Sequence, residues 1–133
     1  MSKILPKHDL TLLADDFRQE ARNKISLIGV YGKDIHISTP VPVMLSKLCF
    51  FTRITGGKGV FKIKYSLKNP DGEEGLGSSS ELPINAKTDM DMNLNLCVSP
   101  FNISKEGEYK FTIFIDGKEF SSTKFNIKYV PAQ

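Results

Sequence analysis

The 133-residue chain is poor in the residues that usually carry chemistry. It has two histidines and two cysteines, so a Ser-His-Asp or Cys-His site would have to use His8 or His36. There is no Gly-x-Ser-x-Gly elbow, no Walker loop and no His-Glu-x-x-His. The run Gly56-Gly57-Lys58-Gly59 lacks a Ser or Thr after the lysine and a helix behind it, so it reads as a turn. Metal ligands are equally sparse. Asp34 with His36, and Asp89 with Asp91, alternate onto one strand face, yet a site needs three or four protein ligands. The expectation is a protein that is not an enzyme, with no catalytic residue, no metal and no cofactor.

Strong charge is also missing. Eighteen Lys and Arg against fifteen Asp and Glu leave a formal charge of +3, too little to argue for nucleic acid alone. No run approaches the roughly 18 apolar residues of a membrane helix. The opening MSKILPKHDL has neither a sustained apolar region nor a small-residue cleavage site. A cytoplasmic protein without membrane contact is expected. The cysteines fit that compartment. Strand alternation puts Cys49 opposite in direction to Leu48 and Phe50, and Cys97 opposite to Leu96 and Val98. Both thiols then lie on polar faces, where no core-spanning bridge forms, and they are expected to be free.

What is present is alternation. Tyr109, Phe111, Ile113 and Ile115 alternate with Lys110, Thr112 and Phe114, and Phe125, Ile127 and Tyr129 alternate with Lys124, Asn126 and Lys128. Asp116-Gly117 stands between the two runs and suits the positive φ of a type I′ turn, so residues 107–129 predict a hairpin. Further strands are expected at 24–31, 34–39, 44–54, 60–68 and 88–98. The polar 73–83 stretch reads as a mobile loop. Residues 10–22 fit either a short helix or a strand. The Gly107-Glu108-Tyr109 corner resembles the tyrosine corner of immunoglobulin-like folds. The reading is all-β: one domain over residues 1–133, an immunoglobulin-like antiparallel β-sandwich of about seven to nine strands.

Leu13 to Ile35 resembles the opening of an uncharacterised bacterial and phage family of small β proteins, with an ADD-x-R-x-E pattern followed by K-x-S-L-I-G-V-Y-G. The matching residues are Ala14, Asp15, Asp16, Arg18 and Glu20, then Lys24 and Ser26 to Gly32. The end, Gly107 to Gly117, is similar as well. The resemblance implies no activity. It implies a bacterial or phage source, and a strand over residues 10–20 pairing with 24–31 across an Ala21–Asn23 turn. Asn23 stands where relatives often have glycine, and asparagine tolerates the left-handed conformation.

Two surfaces are candidates for function. Asp15, Asp16, Arg18 and Glu20 form a mixed-charge patch, read either as a carboxylate pair for acid–base work or as surface ion pairs. If 44–54 and 60–68 form a hairpin across the glycine turn, the outward face sets Arg53 against Lys62, Phe51 against Lys64 and Lys47 against Lys68. Like charges directly opposite destabilise a sheet by about 0.2–1 kcal/mol per pair, so such a face suits an anionic partner. The expected function is a non-catalytic protein-interaction or assembly module, with a protein partner or self-association. Nucleic acid bound through the basic face is the alternative, and a small hydrolase a second one.

Overall fold

The computed structural model describes residues 3–76 and 80–131. The described chain is all β with no α-helix. Eleven strands run in chain order: β1 (Lys7–Gln19), β2 (Ile25–Val30), β3 (Asp34–Ile37), β4 (Val43–Leu45), β5 (Leu48–Thr55), β6 (Gly59–Lys68), β7 (Leu82–Ala86), β8 (Asp91–Val98), β9 (Phe101–Ile103), β10 (Gly107–Ile115) and β11 (Lys118–Tyr129). A first sheet has the order β2-β1-β5-β8 and a second the order β3-β11-β10-β6-β7. Strands β4 and β9 form a two-stranded ribbon.

Alternation decides what goes inside. Leu48, Phe50 and Ile54 from the first sheet meet Phe61, Ile63, Leu67, Phe111, Ile113 and Phe125 from the second in one buried cluster. Phe50 stacks on Phe111 with ring centroids 4.2 Å apart. Stacked rings of this kind add about 0.5–1.5 kcal/mol beyond the area they bury. The terminal hairpin forms as its pattern predicts. Asp116 and Gly117 take φ of 50° and 80°, and β10 pairs antiparallel with β11. Tyr109 donates its hydroxyl to the Lys105 carbonyl at 2.7 Å, fixing the corner through which the chain enters β10.

Residues 10–19 are strand, not helix, and Glu20 leads into the turn. β1 pairs with β2 across a 3₁₀ turn at Ala21–Asn23. The left-handed residue of that turn is Arg22 (φ 62°, ψ 39°), not Asn23 as expected. Several other expectations are corrected. The strand expected over 44–54 is two, because the chain breaks at Ser46-Lys47 and β4 leaves for the ribbon with β9. The β3–β11 pair is parallel, so the second sheet is mixed rather than wholly antiparallel. Part of the expected 73–83 loop is ordered: Glu74 bridges to Lys68, its carboxylate accepting from the Leu67 amide at 2.8 Å, and β7 begins at Leu82. Residues 77–79 of that loop lie outside the described residues.

The largest correction concerns β5 and β6. They are consecutive but do not pair. β5 lies between β1 and β8, and β6 lies between β10 and β7 in the other sheet. Thr55 to Lys58 is therefore an arch between sheets. Gly57 (φ 84°) lets it lie against the N-terminal segment, where a Cβ would come within 2.9 Å of the Pro6 nitrogen. Ile4 and Lys58 exchange two backbone hydrogen bonds there, at 2.9 and 2.7 Å. Cys49 and Cys97 are not free but form a disulfide. Cys49 is buried, not on the solvated polar face expected for it. What alternation does not show is that β5 and β8 are neighbours, with Cys49 directly opposite Cys97. A bridge between adjacent strands does not have to cross the core.

Candidate functional site

The sheet assignment redistributes the expected basic face. Lys62, Lys64 and Lys68 stay together on the outward side of β6, while Phe51 and Arg53 belong to the other sheet and Lys47 lies in the break before β5. The true neighbour of β6 is β10, and beyond it β11. Register sets Lys68 opposite Lys110, and Lys110 opposite Lys124. Three lysines thus stand in a row across three adjacent strands. The next row is Ser66, Thr112 and Ser122, and the one after it brings Phe114 opposite Lys64.

Each member of this face is placed by the inward residue beside it. Tyr65 and Leu67 go to the core and turn Lys64, Ser66 and Lys68 outward; Phe111 and Ile113 do the same for Lys110, Thr112 and Phe114. Ser66 and Thr112 are nonetheless buried. Ser66 donates to Glu74, and the segment carrying that carboxylate closes over the end of β6. Lys64, Lys68, Phe114, Glu74 and Glu81 line a shallow groove of about 690 Å³. Lys110 lies 3.7 Å from Glu119, and Lys124 lies 3.8 Å from Glu108. Among the described residues Lys62, Lys64 and Lys68 make no ion pair within 4.0 Å. At the end of the face Asp116 accepts from the Lys62 amide at 2.9 Å, which, with a weaker bond from Lys3, holds its carboxyl below the usual value.

The residues that leave the face form a second surface. Phe51 is 6% exposed, with Leu12 and Asn95 opposite it on the neighbouring strands and the Arg53 guanidinium 5.6 Å from its ring centroid. It is not the exposed aromatic that alternation suggested. Arg53 donates Nε–H to Asn93 Oδ1 at 3.3 Å. Arg53, Asn93, Asn95 and Asp91 line a polar cleft of about 420 Å³ together with Gln19. Gln19 lies far along β1 from Leu10, the residue paired with Arg53, so the β1–β2 hairpin curls back over this face. Asn95 Oδ1 is buried there with no hydrogen-bond partner among the described residues. Alternation in DMDMNLNLC marked these asparagines as a polar face; nothing in it showed that a distant hairpin would roof them.

The mixed-charge patch does not form a carboxylate pair. Asp15 and Asp16 point to opposite sides of β1. Asp15 accepts the Tyr31 hydroxyl, and the Tyr31 pKa is pushed up to about 12 by burial first and this bond second. Asp16 accepts from Lys47 at 3.0 Å and from the Phe17 amide at 2.8 Å, which hold its carboxyl below the usual range. Lys47 is thus committed to Asp16. Arg18 and Glu20 are exposed. His36 is exposed on β3, and the His8 ring sits 2.8 Å from the Thr11 hydroxyl, so neither joins the acids. Among the described residues no group of three His, Cys, Asp or Glu could hold a metal. No helix among them is long and apolar enough to cross a membrane.

Comparison places the chain in a family without assigning it a role. The family of unknown function DUF6941 matches residues 9–128, and the chain belongs to it. No curated protein matches. One similar solved structure is that of Pseudomonas fluorescens alkylpurine DNA glycosylase AlkC bound to DNA containing an abasic site analog. It shows a TM-score of 0.42 and 10% identity, covering 72% of this chain and 28% of that one. The chain therefore spans less than a third of that protein, and a likeness this loose says nothing about function.

Proposed function

We propose that this DUF6941 member is a non-catalytic protein-interaction module whose lysine-bearing sheet face receives an acidic protein surface with an apolar projection. The carrying observation is the row Lys68–Lys110–Lys124. Like charges set opposite each other cost about 0.2–1 kcal/mol per pair, and core packing does not require lysine at outward positions. Phe114 beside Lys64 supplies an aromatic anchor at the centre of the groove. Glu74, Glu81, Glu108 and Glu119 share the face with the lysines. Phosphates would meet those carboxylates, whereas a protein of mixed charge can answer both signs. The bond from Tyr109 to the Lys105 carbonyl supports the immunoglobulin-like, sandwich reading of the fold, because that family fixes a strand corner in this way. A bacterial or phage source goes with the same reading. A cytoplasmic site is harder to reconcile with the Cys49–Cys97 bridge, since cytosolic thiols are kept reduced.

The test is affinity capture from lysate of the source, at low and high salt, with wild type and Lys64→Glu/Lys68→Glu in parallel. The expected result is a protein retained by wild type and lost by the variant. Phe114→Ala should weaken it by about 2 kcal/mol, roughly thirtyfold. Nucleic acid captured at low salt and released steeply by high salt would replace this reading with the second one, binding of nucleic acid through the same lysines.

A further inference from the structure

Two sheets of this kind leave four outer edges, and three of them are blunted. β7 carries Pro83, β3 is four residues long and starts with Asp34, and β8 starts with Asp91 and presents Asn93 and Asn95. Charge, proline and shortness are the usual means of stopping an edge from pairing with another chain. β2, Ile-Ser-Leu-Ile-Gly-Val, has none of them. Among the described residues it pairs only with β1, and from Ile25 through Tyr31 it carries no charge. Its outward side shows Ile28 at 41% and Val30 at 51% exposure. One local device interrupts it: Gly29 takes φ of 67°, and a Cβ there would run into the Asp15 carboxylate.

We propose that β2 is a self-assembly edge, taken up by β2 of a second copy in an antiparallel pair that joins two four-stranded sheets into one of eight. The second copy is the occupant because the strand complements itself. Side-by-side antiparallel pairing about a twofold axis sets each residue against one whose side chain points to the same face. Centred on Ile28, it opposes Leu27 to Gly29 of the second copy, Ser26 to its Val30, and Ile25 to its Tyr31. Each of the first two pairs sets a large side chain against a small one, and no charge meets a charge. Ile28 meets its own counterpart at the axis, where the two would cover each other's exposed surface. Centring on Leu27 likewise opposes no like charges. This edge lies on the first sheet, whereas the lysine face lies on the second, so the two proposals stand or fall separately.

The experiment is sedimentation velocity of the full chain from micromolar to near-millimolar concentration. Wild type should pass from the 14.9 kDa monomer to twice that mass. Ile28→Lys, which sets two lysines together at the axis, should weaken the dimer at least tenfold, and Ser26→Lys should act in the same direction. Val60→Lys, at an exposed position in the other sheet, should leave it unchanged. Hydrogen exchange should show amides of residues 25–30 gaining protection with concentration, a readout that a merely sticky surface would not move. A wild-type monomer at every concentration, or a dimer untouched by Ile28→Lys and Ser26→Lys, would overturn the proposal.

Discussion

Tyr31, Asp15 and Gly29 act as one unit. The tyrosine hydroxyl reaches across to the carboxylate, and the missing Cβ of Gly29 makes the room for it. Because the folded tyrosine titrates near 12 and the free one near 10, its contribution to stability is complete below pH 10 and is lost as pH rises to about 12. Urea denaturation across that window should show a steeper alkaline loss for wild type than for Tyr31→Phe. Gly29→Ala forces a left-handed alanine and should cost at least about 1–2 kcal/mol, seen as a lower urea midpoint at constant slope. The Asp-Gly turn at 116–117 was legible because both residue types tolerate positive φ. Arg22 was not, since arginine takes that conformation only where its surroundings impose it.

The alternating strands declared their inward faces. β6 and β10 bury the sides that their patterns predict, and so does β11 at Phe125 and Ile127, because period two is a property of each strand alone; β5 buries both its sides, and on the expected face of β8 only Leu94 is fully buried while Met90 is exposed. Which strand lies beside which is a property of pairs, and here local reading failed twice. The glycine arch has the composition of a hairpin turn, which sets β5 against β6. Strand alternation relates each cysteine to the core and not to the other cysteine. Cys49 and Cys97 close a loop with a sequence separation of 48. Loop-closure entropy then predicts a loss of about 4 kcal/mol for Cys49→Ser/Cys97→Ser, measurable by denaturant unfolding with and without reductant. The oxidation state of the pair, trapped by alkylation during cell lysis, reports the compartment. A mostly reduced pair supports the cytoplasm, and a mostly oxidised one an oxidising space.

Across the molecule the basic surface emerged only when the sheets were assembled. Lys62, Lys64 and Lys68 could be read as outward neighbours from the sequence. Their meeting with Lys110, Lys124 and Phe114 depends on β6 pairing with β10, forty residues or so further along the chain, and no local pattern encodes that. Replacing Lys110 by Thr should remove two like-charge contacts at once. It should raise stability by roughly 0.5 kcal/mol while weakening partner binding, an opposition of effects expected where stability is given up for recognition. Thermal unfolding and the capture assay together check both signs. The parallel pairing of β3 with β11 has a kinetic meaning as well. Among the described residues Asp34–Ile37 finds its only ladder partner in Asn126–Tyr129, so an early segment waits for one far later in the chain. Such contacts slow folding, because a long loop must close before they contribute. During translation β3 waits for β11 to leave the ribosome, and a nascent chain stalled before Asn126 would hold its second sheet open along that side.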